Sequence, residues 1–124
     1  MSLADYFENS KGLGVLGTSD ATGKVDLAIY ARPHVLDEET VAFIMSDRLS
    51  HENLDANPNA AYLWVEAGDG YKGKRLYLTK TREETDPEKI EALRREARKG
   101  HDYGGALKFL VHFKVEKVRP LIGD

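Results

Sequence analysis

The sequence predicts a mainly β domain: an antiparallel barrel of about six strands with two or three peripheral helices. Three observations carry that expectation. Short apolar or alternating runs recur at close spacing along the 124 residues. Several are joined by glycine-containing turns, which favour hairpins over long crossover connections. Only the segment 85–100 has the capped, charge-rich pattern of a longer helix.

The first element is a short helix over 2–9. Ser2 is placed to cap it, and Leu3 with Phe7 share one face. Gly12 and Gly14 end that pattern. "GVLGTSD" (14–20) and "VDLAIYAR" (25–32) flank "DATGK" and predict a hairpin. In the second strand Val25, Leu27, Ile29 and Ala31 alternate with Asp26, Ala28, Tyr30 and Arg32, so the first set is expected in the core. After Pro33, "HVLDEET" contains a turn at Asp37-Glu38-Glu39. "TVAFIMS" (40–46) is nearly continuous in apolar residues, which predicts a strand covered on both faces.

"SHENLDA" predicts a short helix that stops at Asn57-Pro58, because the residue before proline is pushed out of the helical region. "AAYLWVE" (60–66) is a strand with Tyr62, Trp64 and Glu66 on one face. "GDGYKG" (68–73) turns the chain into a further strand, "KRLYLTKT" (74–81). The long helix has Asp86 as cap, Pro87 in its first turn, Gly100 as stop, and an apolar stripe of Ile90, Leu93 and Ala97. "ALKFLVHFKVEKVRP" (106–120) alternates, with Leu107, Phe109, Val111, Phe113 and Val115 expected inward.

One domain, 1–124, fits this length. A chain this short leaves little room for a deep enclosed cavity, so a site at an open edge or a subunit interface is expected. A hydrophobic share of 41% and a charged share of 31% are those of a soluble globular protein. A net charge of -3, from 18 basic and 21 acidic residues, argues against nucleic acid as a partner. The absence of cysteine excludes disulfides, thiolate metal ligands and a cysteine nucleophile. "MSLADYFENS" has no signal-peptide pattern, and no run approaches the roughly 18 apolar residues of a membrane helix. A cytoplasmic setting without membrane contact is expected.

The densest cluster of capping residues, cations and helix breakers is "SDRLSHENLDANPN" (46–59). Ser50 is a candidate N-cap, and a helix beginning there offers free N–H groups and a positive dipole end to an anion. Arg48 lies two residues before it. The strand face of Ala28, Tyr30 and Arg32, beside Met45-Ser46, is suited to a flat ring system. A hairpin between 25–32 and 40–46 would set Arg32 and Arg48 at opposite ends. His34, His51, His101 and His112 show no metal-ligand spacing, and only His51 falls in the first helical turn. Trp64 reads as a core or interface anchor, and "KTREE" and "RREARK" as solvated charge.

Over about residues 5 to 120 the chain resembles the flavin-binding split barrels related to pyridoxamine 5'-phosphate oxidase, in particular their short members. The resemblance is carried by "GVLGTSDATGKVDLAIYARP", "TVAFIMSDRLSHENLDANPNAAYLW" and "GYKGKRLYLTKT" in that order, including the ending Asn53-Leu54-Asp55-Ala56-Asn57-Pro58. It implies a six-stranded split barrel that forms a homodimer with flavin mononucleotide (FMN) at the interface. Carried over by position, Ala28, Ile29, Tyr30, Ala31, Arg32, Ile44, Met45 and Ser46 lie along the ring. Asp47, Arg48, Ser50 and His51 lie at the phosphate, and Lys74 with Arg75 match a segment that reaches the flavin from the facing subunit.

Two features depart from the family pattern. Many relatives have lysine where Ser50 stands and arginine where Leu49 stands. The true oxidases add a C-terminal Arg- and His-bearing segment for pyridoxal that the ending "VRPLIGD" does not match, so that activity is not expected. The resemblance implies a small oxidoreductase or electron carrier working with a small-molecule substrate or redox partner. A deazaflavin or haem barrel, a non-catalytic flavin store and a ligand-free barrel remain open. No catalytic side chain and no metal ligand is assigned.

Overall fold

The computed structural model describes residues 2–97 and 108–123. In chain order the elements are α1 (Leu3–Glu8), β1 (Gly12–Ser19), β2 (Val25–Ile29), β3 (His34–Asp37), β4 (Thr40–Ser46), α2 (Leu49–Ala56), β5 (Asn59–Glu66), β6 (Gly73–Glu84), α3 (Pro87–Ala97) and β7 (Lys108–Pro120). Gly100, His101 and Leu107 lie outside the described residues.

Local chemistry sets the ends of these elements. Ser2 Oγ accepts from Asp5 N at 3.1 Å and caps α1, and Asp86 Oδ1 accepts from Glu88 N at 3.1 Å at the start of α3. The β1–β2 turn is organised by Asp20, whose Oδ1 accepts from Thr22 N at 2.8 Å and from Lys24 N at 3.0 Å. Gly23 there has φ +91°, a region that costs a side chain dearly.

The strands form one antiparallel sheet of seven, ordered β2-β1-β5-β6-β7-β4-β3. The strand beyond the expected six is β3, four residues that follow Pro33 and pair His34 with Ala42. Strands 25–32 and 40–46 do not pair as a hairpin. β2 pairs with β1, and β4 pairs with β7 and β3.

The core lies inside this curled sheet. Leu16, Val41, Phe43, Met45, Tyr62, Trp64, Leu76, Leu78, Val111 and Phe113 form its centre, with Phe7 and Leu54 added from α1 and α2. Each such side chain stabilises the fold by about 1.5–3 kcal/mol through burial. Trp64 is a core anchor, its indole Nε1 donating to Ser10 Oγ at 2.8 Å. Gly14 is required by packing: a Cβ there would collide with the Tyr62 hydroxyl.

Three expectations about faces are corrected. The apolar set of β2 is not core: Val25, Leu27 and Ile29 are 69%, 70% and 67% exposed. β2 is an edge strand, and its other face turns toward α2. β7 does not bury one face alone. Val111 and Phe113 enter the main core, while Leu110 and His112 are buried on the opposite side, where Leu110 meets Ile90 of α3. Finally, part of "KTREE" is not solvated charge. β6 continues to Glu84, Glu83 lies 3.0 Å from His51 Nε2, and Glu84 lies 2.6 Å from His112 Nε2.

Candidate functional site

β2 leaves the β1 pairing after Ile29, and β4 runs beside it toward α2. Between them opens a cleft of about 530 Å³. Ala28, Ile29, Tyr30, Ala31 and Arg32 line it from β2 and its extension, Ile44 and Ser46 from β4, and Arg48 and Ser50 from α2. Asp26, His34, Phe43 and Leu49 also line it and were not singled out from the sequence. Asp26 was legible, since alternation puts it on the face of Ala28 and Tyr30. His34 follows Pro33 in a stretch where only the turn at Asp37-Glu38-Glu39 has a sequence signal, so its place on β3 was hidden.

The cleft has two distinct ends. His34 pairs with Ala42, and Ser46 stands four residues further along β4, about 13 Å of strand. One end is therefore formed by Ser46, Arg48 and Ser50, the other by His34 and Arg32.

At the first end the chain turns tightly, with Arg48 N donating to Ser46 O at 2.9 Å, and α2 begins at Leu49. Arg48 is the N-cap residue, extended at φ -134° and ψ -170°, and no side chain caps the helix. Ser50 is thus inside the first turn rather than its cap, because the turn at Ser46–Arg48 starts the helix early. An uncapped helix start with Arg48 beside it offers donors and positive potential to an anion. Tyr30 reaches this corner. Burial raises its phenol pKa, while a hydrogen bond from Ser50 and the charge of Arg48 oppose that rise. Its ring meets Phe43 edge-on at 5.8 Å.

At the second end Arg32 turns away from the cleft floor toward α1. Its Nη1 donates to Phe7 O in the last turn of that helix and, at 3.0 Å, to Ser10 O just beyond it. Tyr62, beneath, donates its hydroxyl to Tyr30 O at 3.1 Å and Ala31 O at 3.0 Å, which fixes the backbone where β2 leaves the sheet.

Five candidates lie outside the cleft lining. Met45 is fully buried, because β4 alternates Val41, Phe43 and Met45 inward. Asp47 is turned to solvent, with its side chain 74% exposed. His51 stacks on Phe109 at 3.9 Å and lies between Asp47 and Glu83, so it braces α2 against β6 and β7. Lys74 sits over the Tyr6 ring at 4.6 Å. Arg75 holds the chain end, donating to Pro120 O at 2.8 Å and to Gly123 O.

His51, Asp55 and Glu83 converge within 4.8 Å, a grouping the sequence spacing did not reveal. Lys80 already sits among them, 3.1 Å from Asp55 and 2.7 Å from Glu83. Its ammonium supplies the balancing cation, so the group reads as a brace between α2 and β6. Burial opposes ionisation of Glu83, but hydrogen bonds from Lys80 and His51 outweigh it and hold the carboxyl below its usual range.

No family model matches the chain, and no curated sequence does. Solved structures do. An FMN-binding protein from Syntrophomonas wolfei subsp. wolfei superposes with a TM-score of 0.81 at 15% identity, covering 96% of this chain and 83% of that one. An F420 reductase gives 0.73 at 15% identity, covering 96% and 98%. HutZ, the haem storage protein of Vibrio cholerae, gives 0.69 at 17% identity, covering 96% and 94%. The seven-stranded antiparallel sheet and these superpositions agree on one architecture: the chain has the split-barrel fold of the pyridoxamine 5'-phosphate oxidase-like proteins.

Proposed function

We propose that the chain binds FMN in the cleft between β2 and β4 and acts as a small oxidoreductase or electron-transfer protein. The observation that carries this reading is the uncapped start of α2 with Arg48 and Ser50 at one end of a cleft lined by Tyr30, Ala28 and Ile44. The donors at that end suit a phosphate, and the half-apolar strand faces suit a flat ring system. A hydroxyl and free N–H groups in Ser50's turn supply donors that the family's lysine provides elsewhere. Bound there, FMN would supply the redox chemistry. The protein's residues bind the phosphate, orient the ring and shield it from water. Similarity to the FMN-binding protein of Syntrophomonas wolfei supports the choice of cofactor.

The strip of Val25, Leu27 and Ile29, extended across β1 by Leu13 at 51% exposure, is the apolar face that a second copy would cover. It supports a homodimer with the cofactor near the interface. Among the described residues no helix is long and apolar enough to cross a membrane.

Purification without added cofactor is the direct test. A yellow protein with about one flavin per chain supports the reading, whereas a colourless protein that ignores added FMN removes it. A haem reading has its own support, because His34 is the histidine that lines the cleft and HutZ shares the fold. A deazaflavin reading draws on the F420 reductase in the same way. The absorbance spectrum separates the three chromophores. A non-catalytic store would bind flavin yet never be reduced by a nicotinamide donor or a reductase.

A further inference from the structure

A second hollow of about 270 Å³ opens at the far end of the cleft, between α1 and the start of β3. It shares Arg32 and His34 with the main cleft. Ala4 and Phe7 of α1 face Pro33 and Val35 across it, so its body is apolar. The volume falls just below the ~300–1,000 Å³ of sites for drug-sized ligands, which fits a smaller molecule.

Arg32 gives the hollow its chemistry. Its bonds to Phe7 O, Glu8 O and Ser10 O all leave from Nη1. Among the described residues Nε and Nη2 donate to no partner, and no carboxylate pairs with the guanidinium. Arg32 is exposed, and with Nη1 engaged its Nε and Nη2 donors are open to an incoming anion. The tether through Nη1 also fixes the plane of the fork in advance, and that plane matches a carboxylate.

We propose that this hollow is a subsite for a small planar monocarboxylate. Its carboxylate bonds to Arg32 and its apolar body rests against Phe7, Pro33 and Val35. Glu8, exposed on the rim, sets the charge limit by repelling a second carboxylate. Binding there does not depend on the FMN reading; only a role for this ligand in flavin chemistry would rest on it.

Benzoate is the probe, followed by backbone amide NMR on the full chain with and without FMN. Saturable shifts centred on Ala4, His34 and Val35 are expected. Benzamide and phthalate should each bind about tenfold weaker or worse, as when a charge-assisted bond is lost or a like charge is added. Ala4→Trp, which fills the hollow from the exposed side of α1, should weaken benzoate by about tenfold or more. It should leave the dispersed spectrum and the FMN affinity unchanged. Arg32→Ala risks releasing α1, so Ala4→Trp carries the test, and Glu8→Gln should restore phthalate toward benzoate. Absence of shifts, equal binding of benzamide, or shifts centred on Arg48 and Ser50 would overturn the proposal. Visible flavin absorbance on the same samples reads the cofactor separately, so benzoate binding without FMN binding sinks only the FMN reading.

Discussion

β2 and β4 carry nearly the same apolar content and meet opposite fates. β4 lies between β7 and β3; Val41, Phe43 and Met45 enter the core, and on the other side Ala42 packs with Leu110 of β7 and Ile90 of α3. β2 has a neighbour on one side only. Its apolar set faces outward, and the set containing Asp26, Ala28 and Tyr30 faces the cleft. The difference teaches that alternation gives the period of a strand but not the direction of its faces. Direction comes from the neighbours, and an edge strand with an apolar outer face is a surface that awaits cover.

That contrast can be broken by substitution, and the largest effect is expected inside. Met45→Ala should cost about 2–5 kcal/mol of stability in denaturant unfolding, the usual cost of emptying a core position. Leu27→Ala, an apolar truncation of similar kind on the outer face, should leave the isolated protomer within about 0.5 kcal/mol. Equal losses at the two positions would mean that β2 is packed in solution. Next in size, Arg48→Ala with Ser50→Ala should weaken FMN binding by about 3 kcal/mol with little loss of stability, seen by fluorescence titration. Gly14→Ala should destabilise by about 1–3 kcal/mol, because the new methyl displaces the Tyr62 hydroxyl that holds Tyr30 and Ala31.

The smallest effect concerns pH. The Glu83 carboxyl is held below its ordinary 4.5, with burial opposing and Lys80 and His51 prevailing, and Glu84 is lowered first by Lys89 and then by His112. Their contribution is therefore complete above pH 4.5 and is lost as pH falls through the lowered values. Glu83→Gln should flatten that acid limb in melting experiments while lowering stability near neutrality. An unchanged acid limb would remove the brace beneath α2 from the account.

Much of the fold was legible in the sequence because its signals are local. Ser2 and Asp86 as caps, Pro58 as a stop, and the glycine turns each act within a few residues. β3 was not legible, since four residues between Pro33 and an acidic turn have too little pattern to outweigh the breakers. The lining of the cleft was legible along β2 and at the end of β4, where alternation and the resemblance agree. Met45 falls outside the cleft lining because its position in the motif, not its side-chain direction, was carried over. His51 falls outside the cleft lining because its partners, Glu83 and Phe109, come from strands distant in sequence. Arg32 combined both problems: its place beside the cleft was legible, but its bond to the carbonyls of α1 depends on a helix that precedes it by more than twenty residues.

In the FMN reading proposed above, the start of α2 would hold the phosphate and the strand faces the ring. Parallel titrations with FMN and riboflavin, which differ only in that phosphate, test it most directly. Stoichiometric binding of FMN is expected, about 10²-fold tighter than riboflavin, with the preference lost in the Arg48→Ala, Ser50→Ala double variant. Equal affinity for the two flavins, or no binding of either, would contradict it.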